Sequence, residues 1–241
     1  MKPAPKQKIN MDKTALAVIS GGLDSTVALY LALKKHKVKS AVFFNYGQKA
    51  FSLELRSCKK LTKRLGIKLF IIDLTWIRNI SKSAITGCIK KTPKINKKDL
   101  NKKNITLKTA NDVMVYNRNM IFISSAAAIG AENDCRYLIT GFNAEEALTF
   151  PDNSCKFLDS INETLKASLK PIKIKVISPT IKMTKKDIVR NALKNDFPLD
   201  TVYSCYFGKE IMCGVCESCL RLKRALDANN LFNHKYIRFK K

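Results

Sequence analysis

The stretch Ala15-Leu16-Ala17-Val18-Ile19-Ser20-Gly21-Gly22-Leu23-Asp24-Ser25-Thr26 sets the fold. Ala15 to Ile19 is a short apolar run ending in Ser-Gly-Gly, the pattern of a buried strand entering a tight turn. Thr26 to Lys35 follows as a helix, with Leu29, Ala32 and Leu33 on one face. Glycine tolerates positive φ and lets a backbone approach a ligand closely. The exposed N–H groups, the Ser and Thr hydroxyls and the helix N-terminus of Ser20 to Thr26 therefore form an anion cradle. No lysine closes the loop, which excludes the phosphate loop that ends in Gly-Lys-Ser or Gly-Lys-Thr.

Outward from this loop, strands alternate with helices. Strands are expected at Ser40 to Phe44, Lys68 to Leu74, Arg136 to Thr140 and Ile172 to Ile177. Helices are expected at Ser52 to Leu65 (closed by Gly66), Asn119 to Ala131, Phe157 to Leu169, and Lys185 to Asn195 with Thr184 as N-cap. Residues 76–111 read as an irregular, Lys- and Asn-rich surface excursion. Continuously apolar strands alternating with helices imply an α/β fold: a Rossmann-like open parallel five-stranded sheet with helices on both faces. Such sheets bind ligands at the carboxyl ends of their strands, at the topological switch point. Two glycine-ended strands, before Gly21 and before Gly141, deliver loops to that edge.

The chain has 241 residues, enough for a large core without disulfides. A hydrophobic fraction of 46% and a charged fraction of 27% exclude collagen-like and largely disordered classes. No apolar run reaches the ~18–20 residues of a membrane span. The best, Met120 to Ala131, contains Ser124, Ser125 and Gly130. Met1 to Lys13 carries positive charge with no apolar segment behind it, so no signal peptide and a cytoplasmic location are expected. The net charge of +26 invites a nucleic-acid reading. However, lysine supplies 36 of the 45 positive charges, and phosphate-reading surfaces favour the arginine fork. The lysines are scattered, apart from eight within Ile89 to Lys108. Composition-driven, solvated charge is the expectation, and nucleic acid is not an expected partner.

Four of the eight cysteines, Cys58, Cys88, Cys135 and Cys155, stand alone; Cys205, Cys213, Cys216 and Cys219 fall within fifteen residues. In a chain expected to be cytosolic, such a cluster reads as a metal site before a disulfide framework. Four thiolates complete a tetrahedral Zn²⁺ site with no open position, which implies a structural ion. Gly214 permits the turn that aims Cys213 and Cys216 at one ion, and a helix, Leu220 to Ala228, follows. An iron–sulfur cluster competes, because Cys-x2-Cys-x2-Cys spacing also occurs in ferredoxins; their Cys-Pro partner is absent. The domain expectation is an α/β unit over 1–200, with a flexible 1–13 and the excursion over 76–111, and a zinc-binding segment over 201–241 packed on it.

Ser20 to Thr26 resembles the pyrophosphate loop of the adenine-nucleotide alpha-hydrolase superfamily, whose enzymes cleave ATP to AMP and pyrophosphate. Together with the four-cysteine knuckle it resembles the 7-cyano-7-deazaguanine synthase family of queuosine biosynthesis. Further matches are Asn45-Tyr46-Gly47-Gln48, Arg118-Asn119, Ile139-Thr140-Gly141, Pro151-Asp152, Pro179, Thr184-Lys185 and Tyr203-Ser204-Cys205-Tyr206. The resemblance implies adenylation of 7-carboxy-7-deazaguanine with ATP and Mg²⁺, displacement of AMP by ammonia, and a second activation that leaves the nitrile. It implies nucleotide contacts from Ile19, Ser20, Gly21, Gly22, Leu23, Asp24, Ser25, Thr26, Val27, Ala28 and Leu29. It implies catalytic roles for Asp24, Ser25, Lys185 and Arg118, the last two placing positive charge against pyrophosphate. Asp24 either holds the loop or contacts the metal–pyrophosphate. Cys205, Cys213, Cys216 and Cys219 would bind the zinc, and the enzyme would be a homodimer. The sequence departs from the family after Gln48, at Asn117 where the family has Gly, and across Glu145 to Phe150. A sibling enzyme adenylating a related deazaguanine carboxylate or a tRNA base is the alternative, and a non-catalytic zinc module the third reading.

Overall fold

A computed structural model of the chain describes residues 13–87, 90–100, 102–231 and 237–240. Of the expected flexible 1–13, all but Lys13 lies outside the described residues, as does Cys88. Five parallel strands form one sheet in the order β3-β2-β1-β4-β5. They are β1 Thr14–Val18, β2 Lys37–Asn45, β3 Lys68–Asp73, β4 Tyr137–Ile139 and β5 Lys175–Ile177. Helices α1 (Leu23–Ala32), α2 (Phe51–Leu65), α3 (Trp76–Ile80), α4 (Lys103–Val113), α5 (Arg118–Glu132), α6 (Cys155–Ser168), α7 (Lys185–Lys194) and α8 (Glu217–Asp227) complete it. Among the described residues no helix is long and apolar enough to cross a membrane.

Side chains alternate across the pleat, so each central strand feeds two cores. Ala15, Ala17, Ala41 and Phe43 face the core built with α1, α2, α7 and α8. Leu16, Val42 and Phe44 face the one built with α5 and α6. Cys205, Cys216, Cys219 and Leu222 belong to the first core, so the C-terminal segment packs directly on α1 and α7.

Boundaries depart from expectation in several places: β2 starts at Lys37 and α8 at Glu217, each three residues early. Helix α1 begins at Leu23, which puts Asp24 and Ser25 in its first turn. Helix α6 begins at Cys155 because Ser154 caps it, accepting the Phe157 N–H at 3.1 Å. Strand β5 is cut to Lys175–Ile177, the residues paired with Tyr137–Ile139. The larger correction concerns 76–111, which is irregular only in part, between Ser81 and Asn96 among the described residues. It contains α3, α4 and a 3-10 turn at Lys97–Asp99. Ile77, Ala84, Ile85 and Val113 form a small core with Tyr46 and Val115. Ile95 and Leu100 pack on Leu220 of α8. Its apolar residues are too widely spaced, between lysines, to show a period.

The switch point lies between β1 and β4, where the chain leaves β1 toward β2 on one side and returns as β4 on the other. The two loops there touch. A Cβ on Gly141 would lie 2.4 Å from both the Cα and the N of Ser25. Gly21, at φ +75°, is as tightly placed: its Cβ would meet the Glu54 carbonyl oxygen at 2.7 Å. Gly141→Ala is therefore expected to force the loops apart, costing about 1–3 kcal/mol in denaturant unfolding. Wild-type stability in that variant would show that the approach does not constrain the fold.

Candidate active site

The β1–α1 loop and the start of α1 line a cavity at the switch point. No side chain caps α1 at Gly22, so the helix offers its first-turn N–H groups to a ligand. The Ser20 and Ser25 hydroxyls lie 3.1 Å apart, and Ser25 Oγ accepts the Ser20 N–H at 3.1 Å. Thr26 turns inward instead, its hydroxyl donating to the Gly22 carbonyl at 2.7 Å.

Lys185 stands over this loop at the start of α7. A reciprocal capping box fixes that helix end: Thr184 Oγ1 accepts the Asp187 N–H, and Asp187 accepts the Thr184 N–H. Lys185 is only 6% exposed, and its ammonium donates to Asp24 Oδ2 at 2.5 Å and Glu146 Oε1 at 2.8 Å. Burial opposes its charge, but Asp24 and Glu146 raise its pKa above the ordinary lysine value. Burial pushes Asp24 up to about 6 against the pull of Lys185. Glu146 is held below the usual carboxylate range: burial would raise it, and Lys185 outweighs that. Asp24 Oδ1 is buried without a hydrogen-bond partner.

Glu145 carries this arrangement outward. Its Oε1 accepts the Lys185 backbone N–H at 2.9 Å, and its Oε2 accepts from Arg221 at 3.2 Å and from Arg224. Arg221 also donates to Glu217 Oε1 at 2.7 Å, and Glu217 Oε2 accepts the Thr109 hydroxyl of α4 at 2.6 Å. A buried polar chain thus runs from the excursion through α8 to Lys185.

The opposite wall is built from Tyr46, Gln48, Glu54 and Arg118. Asn117 adopts φ +60°, a left-handed conformation that Asn tolerates, and starts α5 so that Arg118 enters the cavity. The Arg118 guanidinium lies 5.6 Å from the centre of the Tyr46 ring, and its Nη1 donates to the Tyr46 hydroxyl at 3.4 Å. Burial pushes that phenol up to about 12. Asp152 accepts the Asn119 N–H at 3.3 Å. Burial raises Glu54 to about 7, against the Gln48 hydrogen bond that lowers it.

The structure brings Ile19, Ser20, Gly22, Leu23, Asp24, Ser25, Arg118 and Lys185 to one cavity. It narrows the expected nucleotide stretch. Gly21 and Thr26 support the loop without lining the cavity, and Val27, Ala28 and Leu29 are fully buried in the α1 core. Glu54, Glu145 and Glu146 escaped the sequence reading of the site. Glu146 is marked only by its place in the loop after a glycine-ended strand.

The four clustered cysteines come together beside α8. Their sulfurs all lie within 4.8 Å of one another. The Cys216 N–H donates to Cys213 Sγ at 3.3 Å, the Val215 N–H to the same sulfur at 3.4 Å, and the Cys213 N–H to Cys205 Sγ at 3.3 Å. Backbone N–H groups aimed at sulfur stabilise thiolates, as a metal site requires.

Fold, loop and cavity define a doubly wound α/β enzyme fold with an anion-cradling loop at its switch point, beside a four-cysteine cluster that could hold a metal ion. The family described as Queuosine biosynthesis protein QueC matches residues 14–230, and the chain belongs to it. A 7-cyano-7-deazaguanine synthase from Methanosphaera stadtmanae is 40% identical over 225 residues, 93% of this chain and 98% of that protein. One from Carboxydothermus hydrogenoformans is 41% identical over 215 residues, 89% of this chain and 99% of that protein. Among solved structures, a U34-tRNA thiolase from Methanococcus maripaludis aligns with a TM-score of 0.47 at 14% identity, covering 94% of this chain and 74% of that one.

Cys216→Ala is expected to lower bound metal and melting temperature together, because a structural ion's binding energy is folding energy. Metal analysis and thermal unfolding measure both; unchanged metal content would show that the cluster is not a metal centre.

Proposed function

We propose that the protein converts 7-carboxy-7-deazaguanine and ammonia to 7-cyano-7-deazaguanine at the expense of ATP, releasing AMP and pyrophosphate. The observation that carries this reading is the uncapped first turn of α1, opening into a cavity where Lys185 and Arg118 supply the positive charge. Membership of the queuosine family and the 7-cyano-7-deazaguanine synthases among its relatives support the choice of substrate.

A carboxylate is a poor electrophile because its leaving group would be oxide. Transfer of AMP onto one carboxylate oxygen makes that oxygen a good leaving group. The protein's part is to hold the reactants and stabilise charge where it develops. The loop Ser20 to Ser25 would cradle the phosphates, and Lys185 would face the departing pyrophosphate as a point charge. Ammonia displaces AMP to give the amide. The amide oxygen is adenylated in turn, and loss of AMP leaves the nitrile.

The cavity is lined by four acidic side chains, Asp24, Glu54, Glu146 and Asp152, and two basic ones, Lys185 and Arg118, among the described residues. A triphosphate entering this balance needs a cation, and Mg²⁺ carried in with ATP meets that need. The unpartnered Asp24 Oδ1 fits a cation ligand.

The cysteine cluster fits zinc. A tetrahedron with ~2.3 Å metal–sulfur bonds has edges of about 3.8 Å, and Cys213 and Cys219 sulfurs lie 3.8 Å apart. A four-iron cube would hold its thiolates farther apart, one on each corner iron. Cys205, Cys213, Cys216 and Cys219 would hold the ion, whose contribution is a cross-link within 205–219 that fixes the start of α8, the helix packed on α7 of the unit over 1–200. A homodimer in the cytoplasm completes the proposal, on the family resemblance.

Incubation with ATP, ammonium and 7-carboxy-7-deazaguanine, followed by mass spectrometry, tests it. AMP and the nitrile are expected, and Asp24→Ala is expected to stay folded while AMP formation is lost. AMP without nitrile would point to a sibling substrate, and activity in Asp24→Ala would overturn the reading of the loop.

A further inference from the structure

The proposed reaction must shed protons from nitrogen. Ammonia bonds to the acyl carbon as a cationic nitrogen and must lose a proton as the C–O bond to AMP breaks. Lys185 and Arg118 are held charged by their surroundings and cannot accept it. Glu146 is committed to Lys185, and Asp24 to Lys185 through Oδ2 and, on the reading above, to the cation through Oδ1. Asp152 accepts an N–H at the start of α5.

Glu54 is different. It lines the same cavity, in the first turn of α2, and that turn abuts the pyrophosphate loop at Gly21. Among the described residues, the one hydrogen bond to its carboxylate is the Gln48 Nε2 donation to Oε2 at 3.0 Å, and none forms an ion pair with it. Gln48 is itself fixed, accepting the Tyr46 N–H at 2.9 Å and donating to the Phe44 carbonyl at 3.0 Å. One carboxylate oxygen is thus oriented by a neutral amide, and Oε1 is left for the cavity. A half-buried carboxyl with no cation partner is hard to explain as a structural ion pair.

We propose, building on the function above, that Glu54 is the proton acceptor for the attacking nitrogen. The nitrogen lone pair forms the C–N bond, the C–O electron pair leaves with AMP, and one N–H proton passes to Glu54 Oε1. The groups facing Glu54 are Arg118 of α5, Tyr46 after β2, Tyr203 of the C-terminal segment and Cys58 on its own helix. Arg118 favours the ionised carboxylate, and burial opposes it more strongly, leaving the group at about 7, where it can exchange protons at neutral pH.

Glu54→Gln keeps the shape and the Gln48 contact, and the two halves of the reaction separate its role. ATP–pyrophosphate exchange with 7-carboxy-7-deazaguanine and no ammonium reads adenylation alone; adding ammonium reads amide formation. Exchange is expected within about threefold of wild type, with amide formation lower by about 100-fold. At fixed free ammonia the wild-type rate should rise through about pH 7, as Glu54 ionises, and the variant should lose that limb. Because burial penalises the ionised carboxylate, the variant should unfold no earlier than wild type at pH 8. Loss of both half-reactions together, or of neither, would overturn the assignment. A wild-type protein with no exchange on this acid would remove the function itself, and is distinguishable because it involves no variant.

Discussion

One buried ammonium organises this molecule. Lys185 sits between Asp24 on the first turn of α1 and Glu146 after β4, so a single charge joins the two loops of the switch point. Removing the ammonium would leave two buried carboxylates without compensation, at a cost of about 3–5 kcal/mol, whereas removal of Asp24 alone leaves Lys185 paired with Glu146. The contact also explains the close approach of Gly141 to Ser25: the loops are drawn together and only glycine leaves room. The same ammonium that closes the fold faces the place where phosphate charge would develop.

Lys185 does not position itself. Its backbone N–H is held by Glu145, which is gripped in turn by Arg221 and Arg224 of α8. Helix α8 starts at the cysteine cluster, with Glu217 next to Cys216. The excursion is tied to the same place, through Thr109 to Glu217 and through the Ile95 N–H to the Val215 carbonyl at 3.0 Å. A metal at the cysteines would therefore anchor the frame that sets Lys185, 39 to 40 positions from the two glutamates it depends on.

Parts of this were legible in the sequence because they depend on neighbours in the chain. The Ser-Gly-Gly-Leu-Asp-Ser-Thr loop and the cysteine spacing are local patterns with one geometric use each. The five strands showed as apolar runs, and Thr184 as a helix cap. The excursion is only partly legible because its core-forming residues, Ile77, Ile85 and Val113, are separated by lysines and only meet through Tyr46 and Val115. The link from Glu145 to the Glu217–Arg221 pair of α8 is invisible in the sequence because it spans 76 residues and each member looks like an ordinary surface charge. Glu54 was passed over for the same reason: only the fold takes its carboxyl into the cavity.

The charge of +26 is likewise redistributed by the structure. The cavity holds more acid than base, so the excess lies outside it. The central claim, that this cavity activates a carboxylate by adenylation, is tested most directly by isotope transfer. With ¹⁸O in both carboxylate oxygens of 7-carboxy-7-deazaguanine, each turnover should place one labelled oxygen on each of two AMP molecules. Label appearing in water or inorganic phosphate, with unlabelled AMP, would contradict it.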